Sequence, residues 1–194
     1  MKLVARAEVL EIGKYEELRD AFRRRVIEEK KHRRVALGEH MSVLFENHDT
    51  VLFQIQEMLR TERITSERAI QHEIETYNEL VPGPSELSAT IFIEYAEREE
   101  RERMLVELAG IDDKFWIEVF GERSFVVPDR RNERKERTLA VHYVKFPLSP
   151  SALEGLRSEH GPVRLGVEHA HYSASVELRP EVRAALAEDL AVSD

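Results

Sequence analysis

The chain has 194 residues, of which 42% are hydrophobic and 35% are charged, and its formal net charge is −9 at pH 7. This length suits one globular domain with a substantial core. The absence of cysteine excludes disulfides, thiolate nucleophiles and cysteine-ligated iron–sulfur clusters. The net negative charge argues against nucleic acid as a partner. Neither a signal-peptide pattern nor a membrane-length apolar run is present, so we expect a cytoplasmic protein.

The first half of the chain is predicted to be mainly helical. Apolar residues recur about four positions apart over residues 14–34, which favours an amphipathic helix. The same periodicity predicts helices over 51–64 and 65–80. A short strand is expected at 41–46, and Asn47-His48-Asp49 is typical of a turn.

The second half is predicted to be mainly strands, because polar and apolar residues alternate there. The predicted strands are 88–95, 114–120, 124–127, 138–148, 163–168 and 173–178, and the predicted helices are 97–109, a short one opening at Ser149-Pro150 and one starting at Pro180. The nearly all-charged stretch near 129–137 is expected to be a mobile connection. Early helices and late hairpins predict a single α+β domain over 1–194, with a mostly antiparallel sheet packed with helices.

Glu62 is the polar residue that fits its predicted helix least well. At about 100° per residue, Leu59 and Glu62 fall within about 40° of Ile55, which predicts that Glu62 points toward the core. By the same wheel, Glu57 points the opposite way. A buried carboxylate is costly unless it is paired, protonated or bound to a metal. The alternatives are a salt bridge to an arginine and an apolar stripe that ends one turn early.

Four further residues are candidates for a polar site. Glu73 lies on the rim of the apolar face of its helix, and Glu94 closes a strand. His142 lies in a strand whose two faces are both largely apolar, so we expect it to be buried. His169 and His171 are two residues apart, a spacing that can chelate a metal but is weak evidence alone. Solvent exposure of the carboxylates and a hydrogen-bonded core histidine are the structural alternatives.

These candidates define a predicted metal site, if their side chains converge. Its ligands would be Glu62, Glu73, Glu94, His142 and His169. A carboxylate/histidine set suits iron, with manganese or zinc as alternatives. The chain lacks His-Glu-x-x-His, a P-loop, Gly-x-Gly-x-x-Gly and Gly-x-Ser-x-Gly. The helices that carry Glu62 and Glu73 also lack the Glu-x-x-His pair of di-iron bundles.

Several runs of the sequence resemble one bacterial protein family. The runs are 31–38, 53–64, Tyr77-Asn78, 140–143 and 169–172, and the most specific is Gln-x-Gln-Glu-Met-Leu-Arg-x-Glu. They resemble the "domain of unknown function" family numbered three-five-zero-one over nearly the whole chain. The resemblance carries over no catalytic role. It implies a gene neighbourhood of rubrerythrin-like proteins and iron–sulfur oxidoreductases, and hence redox or iron metabolism with such a partner.

Three functions stay open from the sequence, all compatible with a homo-oligomer. The first is a metal-binding protein, with iron favoured, in redox or oxidative-stress metabolism. The second is a non-catalytic accessory partner of an iron–sulfur oxidoreductase, with its buried polar residues forming a structural network. The third and weakest is phosphate or RNA binding through the basic stretch Lys30 to Arg34. That stretch lacks interleaved aromatic residues, which favours a solvated helix end instead.

Overall fold

The computed structural model describes residues 1–128, 136–158 and 161–191, which contain six α-helices and nine β-strands. The helices are α1 (Ile12–Lys31), α2 (His48–Thr61), α3 (Glu67–Asn78), α4 (Arg98–Glu107), α5 (Pro150–Arg157) and α6 (Pro180–Ala191). The strands are β1 (Arg34–Ala36), β2 (Met41–Phe45), β3 (Glu86–Ile93), β4 (Phe115–Val119), β5 (Glu122–Phe125), β6 (Val127–Pro128), β7 (Val141–Pro147), β8 (Val163–His169) and β9 (Tyr172–Glu177). Arg6–Glu8 and Ile111–Asp113 form single turns of 3-10 helix.

The strands form two sheets whose pairings are all antiparallel. The first sheet has the order β1-β2-β3-β7-β6, and the second has the order β5-β4-β8-β9. Val126 alone separates β5 from β6, so the chain passes from the second sheet to the first within one residue. The predicted single-domain α+β fold is therefore confirmed. Most of the predicted connection near 129–137 lies outside the described residues.

A first hydrophobic core lies between the two sheets. It contains alternate residues of the strands, as the two-residue side-chain period requires, together with apolar residues of α5 and α6. In β3, for example, Leu87, Ala89 and Ile91 belong to this core. The neighbouring Ser88 and Thr90 therefore face the opposite side of the first sheet, which we call its outer face.

A second core holds α1, α2 and α3 together. Ile55 and Leu59 of α2 pack there with Ile70 and Ile74 of α3. α1 also contacts α2 through an aromatic ladder, since the rings of Phe22 and Phe53 stack with centroids 6.0 Å apart. Among the described residues, no helix combines the length and the apolar composition needed to cross a bilayer.

Most predicted elements are present, with boundaries that differ by a few residues. Ser149 caps α5 as predicted, since its hydroxyl accepts a hydrogen bond from the Ala152 N–H at 3.1 Å. The predicted turn at Asn47 is instead the start of α2, because Asn47 and Thr50 cap the helix reciprocally at 2.9 Å. The short strands β1 and β6 were not predicted.

The basic stretch Lys30 to Arg34 is the predicted solvated helix end only in part, since Lys31, His32 and Arg34 are exposed, Lys30 is half-buried and Arg33 is buried. The Arg33 side chain is 3% exposed. Its guanidinium donates to both oxygens of Asp189 on α6 and, at 2.5 Å, to Glu29 on α1. A buried arginine of this kind requires carboxylate partners, because its charge cannot be neutralised by deprotonation. The pair therefore ties the last helix of the chain to the first.

We expect replacement of Asp189 by alanine to lower the free energy of unfolding by about 3–5 kcal/mol, because it leaves a buried guanidinium short of a partner. Urea unfolding at neutral pH measures this change. The matched control is Glu28→Ala, which removes the exposed pair between Lys31 and Glu28 and should cost less than about 1 kcal/mol. Equal losses in the two variants would show that the Arg33–Asp189 pair does not stabilise the fold.

Candidate functional site

The five predicted metal ligands lie in separate parts of the fold. His142 shares the inner face of β7 with core residues, whereas Glu94 ends the outer face of β3. Glu73 is on α3, Glu62 follows α2, and His169 ends β8 in the second sheet. Within the described residues, no group of three or more histidine, aspartate and glutamate side chains is arranged to hold a metal ion. The structure therefore does not assemble the predicted site.

Glu62 is exposed, so the prediction that it faces the core is wrong. α2 ends at Thr61, and the Glu62 N–H closes its last turn by donating to the Met58 carbonyl at 2.9 Å. The helical wheel stops applying where the helix stops. The alternative of an apolar stripe that ends one turn early is the correct one.

Glu57 on α2 is a half-buried carboxylate whose partners come mainly from α1. It faces away from the second core, but α1 packs against that side of α2. The Tyr15 hydroxyl donates to Glu57 at 2.8 Å, and the Arg19 guanidinium donates at 2.8 and 2.9 Å. These hydrogen bonds, of which those from Arg19 have the largest effect, lower the pKa of Glu57 to about 2.

His142 is half-buried and hydrogen-bonded to the segment that precedes β7, as the core-histidine alternative predicted. Its Nε2 lies 2.8 Å from the Leu139 carbonyl oxygen and 2.8 Å from the Thr138 hydroxyl. Burial lowers the pKa of His142, which favours the neutral imidazole. These contacts give His142 a structural role at the entry to β7.

His169 uses both ring nitrogens in hydrogen bonds to the backbone. Its Nε2 lies 3.3 Å from the Ala109 carbonyl oxygen, and its Nδ1 accepts from the His171 N–H at 3.2 Å. A metal would have to replace one of these hydrogen bonds. The i, i+2 histidine pair therefore stabilises the turn between β8 and β9.

Glu46, like Asp189, is a buried carboxylate that the sequence analysis missed. It follows β2, is 2% exposed and accepts hydrogen bonds from two threonine hydroxyls. Thr50 of α2 binds its Oε2 at 2.5 Å, and Thr90 of β3 binds its Oε1 at 2.5 Å. Both oxygens are thus occupied by neutral donors. Glu46 and Thr90 are hard to recognise in the sequence. Glu46 is only an acidic residue directly after an apolar strand, and Thr90 is only a threonine within another apolar strand.

Lys30 lies within electrostatic range of Glu46 without pairing with it. The Lys30 side chain is half-buried, with its Nζ 5.5 Å from the centroid of the Phe53 ring. Among the described residues, no carboxylate oxygen is within the 4.0 Å of an ion pair with this ammonium. Burial lowers the pKa of Lys30, the Glu46 carboxylate raises it, and the nearby Arg34 lowers it.

Arg34 is a second cation near Lys30. Its guanidinium lies 4.6 Å from the centroid of the Phe92 ring on the outer face of the first sheet. It also donates to the Ser42 hydroxyl at 3.1 Å and lies 3.5 Å from Glu94. Glu94, a predicted metal ligand, is therefore a neighbour of this cation.

Two tyrosines border the same surface. Tyr143 on β7 lies directly across from Thr90 and is 37% exposed. Burial and the Glu46 carboxylate raise the pKa of Tyr143, so its phenol stays protonated. Tyr77 on α3 also has a raised pKa, caused by burial, by Tyr143 and by Glu73. Glu73, another predicted ligand, thus lies at the edge of this surface.

An open pocket lies at the Glu94 end of the first sheet. Its volume is about 540 Å³, and its lining includes Phe92, Glu94 and Val141. Phe92 pairs with Val141 and Thr90 pairs with Tyr143, so these side chains form one surface.

Phe92 and Val141 line the pocket, whereas Lys30, Arg34 and Tyr143 do not. Arg34 stacks on Phe92, Tyr143 follows Val141 on the same face of β7, and Lys30 lies within electrostatic range of Arg34 and Glu46. We call the surface of Lys30, Arg34, Phe92, Val141 and Tyr143, with Glu46 at its base, the Lys30 groove. Two cations and a phenol on this surface can donate to an anion, and Glu94 beside Arg34 and Glu46 near Lys30 are the opposing negative charges.

Comparison with known proteins assigns the chain to a family. A family model described as "Protein of unknown function (DUF3501)" matches residues 3–190. The chain belongs to this family. The resemblance inferred from the sequence motifs is therefore confirmed over nearly the whole chain.

The fold is also found in a solved structure. A crystal structure described as a novel protein of unknown function from Burkholderia pseudomallei K96243 matches with a TM-score of 0.92 and 36% sequence identity. The match covers 97% of this chain and 100% of that chain. A search of curated proteins found no match.

We expect the free energy of unfolding to decrease as the pH is lowered, because protonation of Glu57 breaks its hydrogen-bond network. Because the folded-state pKa of about 2 lies below the ordinary value of 4.5, Glu57 stabilises the fold above pH 4.5 and loses this contribution as the pH falls toward 2. Urea unfolding of Glu57→Gln should therefore show a smaller loss of stability between about pH 6 and pH 2.5. Glu17→Gln, at an exposed position on α1, is the control and should behave like the parent protein. An unchanged pH dependence in Glu57→Gln would contradict the assignment.

The pKa of Lys30 should move in opposite directions in two variants. Glu46→Gln removes a negative charge and should lower it further, whereas Arg34→Gln removes a positive charge and should raise it. The pH dependence of the reductive methylation rate at Lys30, followed by peptide mass spectrometry, measures both shifts. The exposed Lys14 serves as an internal reference in the same chain. Shifts of the same sign would show that these two residues do not control Lys30.

Proposed function

We propose that the protein binds a small ligand carrying a carboxylate or phosphate group in the Lys30 groove. The observation that carries the proposal is the half-buried Lys30 ammonium, which has no carboxylate at ion-pair distance among the described residues. The adjacent Glu46 is satisfied by Thr50 and Thr90. A partly desolvated charge without a direct counterion is a favourable place for an anion.

The electrostatic relation between the two cations supports the same proposal. Arg34 lowers the pKa of Lys30, which means that the two positive charges repel each other. An anion bound by both would offset this repulsion and add charge-assisted hydrogen bonds, in competition with Glu94, which lies 3.5 Å from the Arg34 guanidinium. The phenol of Tyr143 is a further donor on the same surface, because its raised pKa keeps it protonated.

The size of the basic surface favours a small ligand over nucleic acid. Arg33, the central residue of the basic stretch, is neutralised by Asp189 and Glu29. Lys31 is paired with Glu28 at 2.7 Å. The formal net charge of the whole chain is −9, so the field around the protein opposes a polyanion.

The five predicted iron ligands do not form a metal site among the described residues. The redox role and the iron–sulfur or rubrerythrin-like partner stay predictions of the sequence analysis. They do not enter the present proposal. An accessory role beside such a partner is compatible with a ligand-binding groove.

Isothermal titration with inorganic phosphate and with succinate tests the proposal. We expect saturable binding that weakens by about tenfold to a hundredfold in Lys30→Met, since a hydrogen bond to a charged group contributes about 1.5–3 kcal/mol. Lys31→Met is the matched control, because it removes a neighbouring lysine that is exposed and paired with Glu28. All titrations are made at one ionic strength, and circular dichroism verifies that both variants are folded.

Two results would contradict the proposal. One is the absence of saturable binding of either anion by the parent protein. The other is equal affinity of Lys30→Met and Lys31→Met, which would place the anion outside the Lys30 groove.

A further inference from the structure

A polar pocket lies on the outer face of the second sheet. In β8, Leu165 and Val167 belong to the first core, so the alternating residues Arg164, Gly166 and Glu168 face away from that core. The pocket has a volume of about 400 Å³. Its lining includes Trp116, Arg123, Arg164, Glu168, Ser173 and Ser175. We call it the Trp116 pocket, and its lining has no residue in common with the Lys30 groove.

The Trp116 indole is held between a glycine and an arginine. Trp116 of β4 lies directly across from Gly166 of β8. A Cβ atom on Gly166 would lie 2.1 Å from the indole Cζ2 and 2.3 Å from Cε2, so the nitrogen-bearing edge of the ring occupies the space that a side chain at 166 would fill. The Arg123 guanidinium covers the ring, 3.8 Å from its centroid. Trp116 is therefore only 4% exposed.

The indole N–H is a buried donor that lacks a hydrogen-bond partner within the described part of the chain. An indole nitrogen donates and does not accept. Buried donors in folded proteins nearly always have an acceptor, which is supplied by the protein, by water or by a bound molecule. Because Trp116 lines the pocket, an acceptor for its N–H can come from a ligand there.

The other groups of the pocket that lack partners also favour an acceptor. Both carboxylates in the lining are already engaged with Arg123, since Glu168 accepts from it at 2.7 Å and Glu118 lies 3.5 Å from it. Arg164 is a cation that makes no ion pair with any described residue. Arg164 and Gly166 lie on the same face of β8, about 7 Å apart by the rise of a strand. The Arg164 side chain can thus reach the ligand atoms that the indole N–H binds.

We infer that the Trp116 pocket binds a monocarboxylate. One carboxylate oxygen accepts from the indole N–H of Trp116, and the Arg164 guanidinium donates a charge-assisted hydrogen bond to the same group. A single negative charge fits better than a phosphate dianion, because Glu118 and Glu177 lie directly across from Arg164 on the two neighbouring strands. The hydroxyls of Ser173 and Ser175 suit a further polar group on the ligand.

Nuclear magnetic resonance of the indole N–H tests the inference. Trp116 is the one tryptophan of the chain, so the ¹⁵N-labelled full chain has a single indole resonance. Lactate is the probe, because it carries a carboxylate and a hydroxyl group, and lactamide is its neutral analogue. At fixed pH and ionic strength, we expect lactate to shift the indole resonance saturably and lactamide to bind at least about tenfold more weakly.

Arg164→Gln tests the second donor. We expect this variant to bind lactate about tenfold to a hundredfold more weakly, because it loses a hydrogen bond to a charged group. Arg98→Gln, at an exposed position on α4, is the matched control and should bind like the parent protein. Circular dichroism verifies that both variants are folded.

Three results would overturn the inference. They are the absence of a saturable indole shift with lactate, equal affinity for lactate and lactamide, and equal lactate affinity of the parent protein and Arg164→Gln. The Lys30→Met variant should keep the indole response, because Lys30 does not line this pocket. The Trp116 pocket and the Lys30 groove are therefore tested separately, and either proposal can fail alone.

Discussion

The buried carboxylate of Glu46 holds α2 against the first sheet through hydrogen bonds to both. Glu46 leaves β2 at the point where the chain turns into α2, and its side chain is enclosed. An enclosed carboxylate must be hydrogen-bonded, because leaving it unsatisfied would cost several kcal/mol. Thr50 supplies one donor from α2, and Thr90 supplies the other from β3. The contact therefore sets the position of α2 on the sheet and places Lys30 of α1, which packs on α2, beside the same carboxylate.

Much of the fold could be predicted because its elements obey simple periodicities. Helices and strands with a clear apolar face, such as α3 and β3, were found within a few residues of their ends. β1 and β6 were missed because they have three and two residues, too few to display a period of two. The start of α2 was misplaced because Asn47 is common both in turns and at helix N-termini, and only the reciprocal bond with Thr50 distinguishes them.

The site was less predictable than the fold because its partners are distant in sequence. The helical wheel that placed Glu62 toward the core rested on two assumptions. It took α2 to continue past Thr61, and it took only one face of α2 to be covered by other elements. α2 has two covered faces, so Glu57 gained partners from α1 instead. The burial of Glu46 could not be predicted from a local pattern, because one of its two donors, Thr90, is 44 residues away in the sequence. Tertiary contacts between separate elements therefore decided which carboxylates are buried.

The fold places neighbouring residues of the basic stretch Lys30 to Arg34 in different environments. α1 ends at Lys31 and β1 begins at Arg34, so the chain changes direction within this stretch and its side chains separate. Arg33 enters a buried pair with Asp189, whereas Arg34 stacks on Phe92 of the outer face. Since Lys31 pairs with Glu28 and Arg34 lies 3.5 Å from Glu94, Lys30 is the cation of this stretch, apart from His32, that has no ion pair among the described residues. A groove with only a few cations can select a small anion, because a polyanion gains little from so limited a surface and is repelled by the rest of the protein.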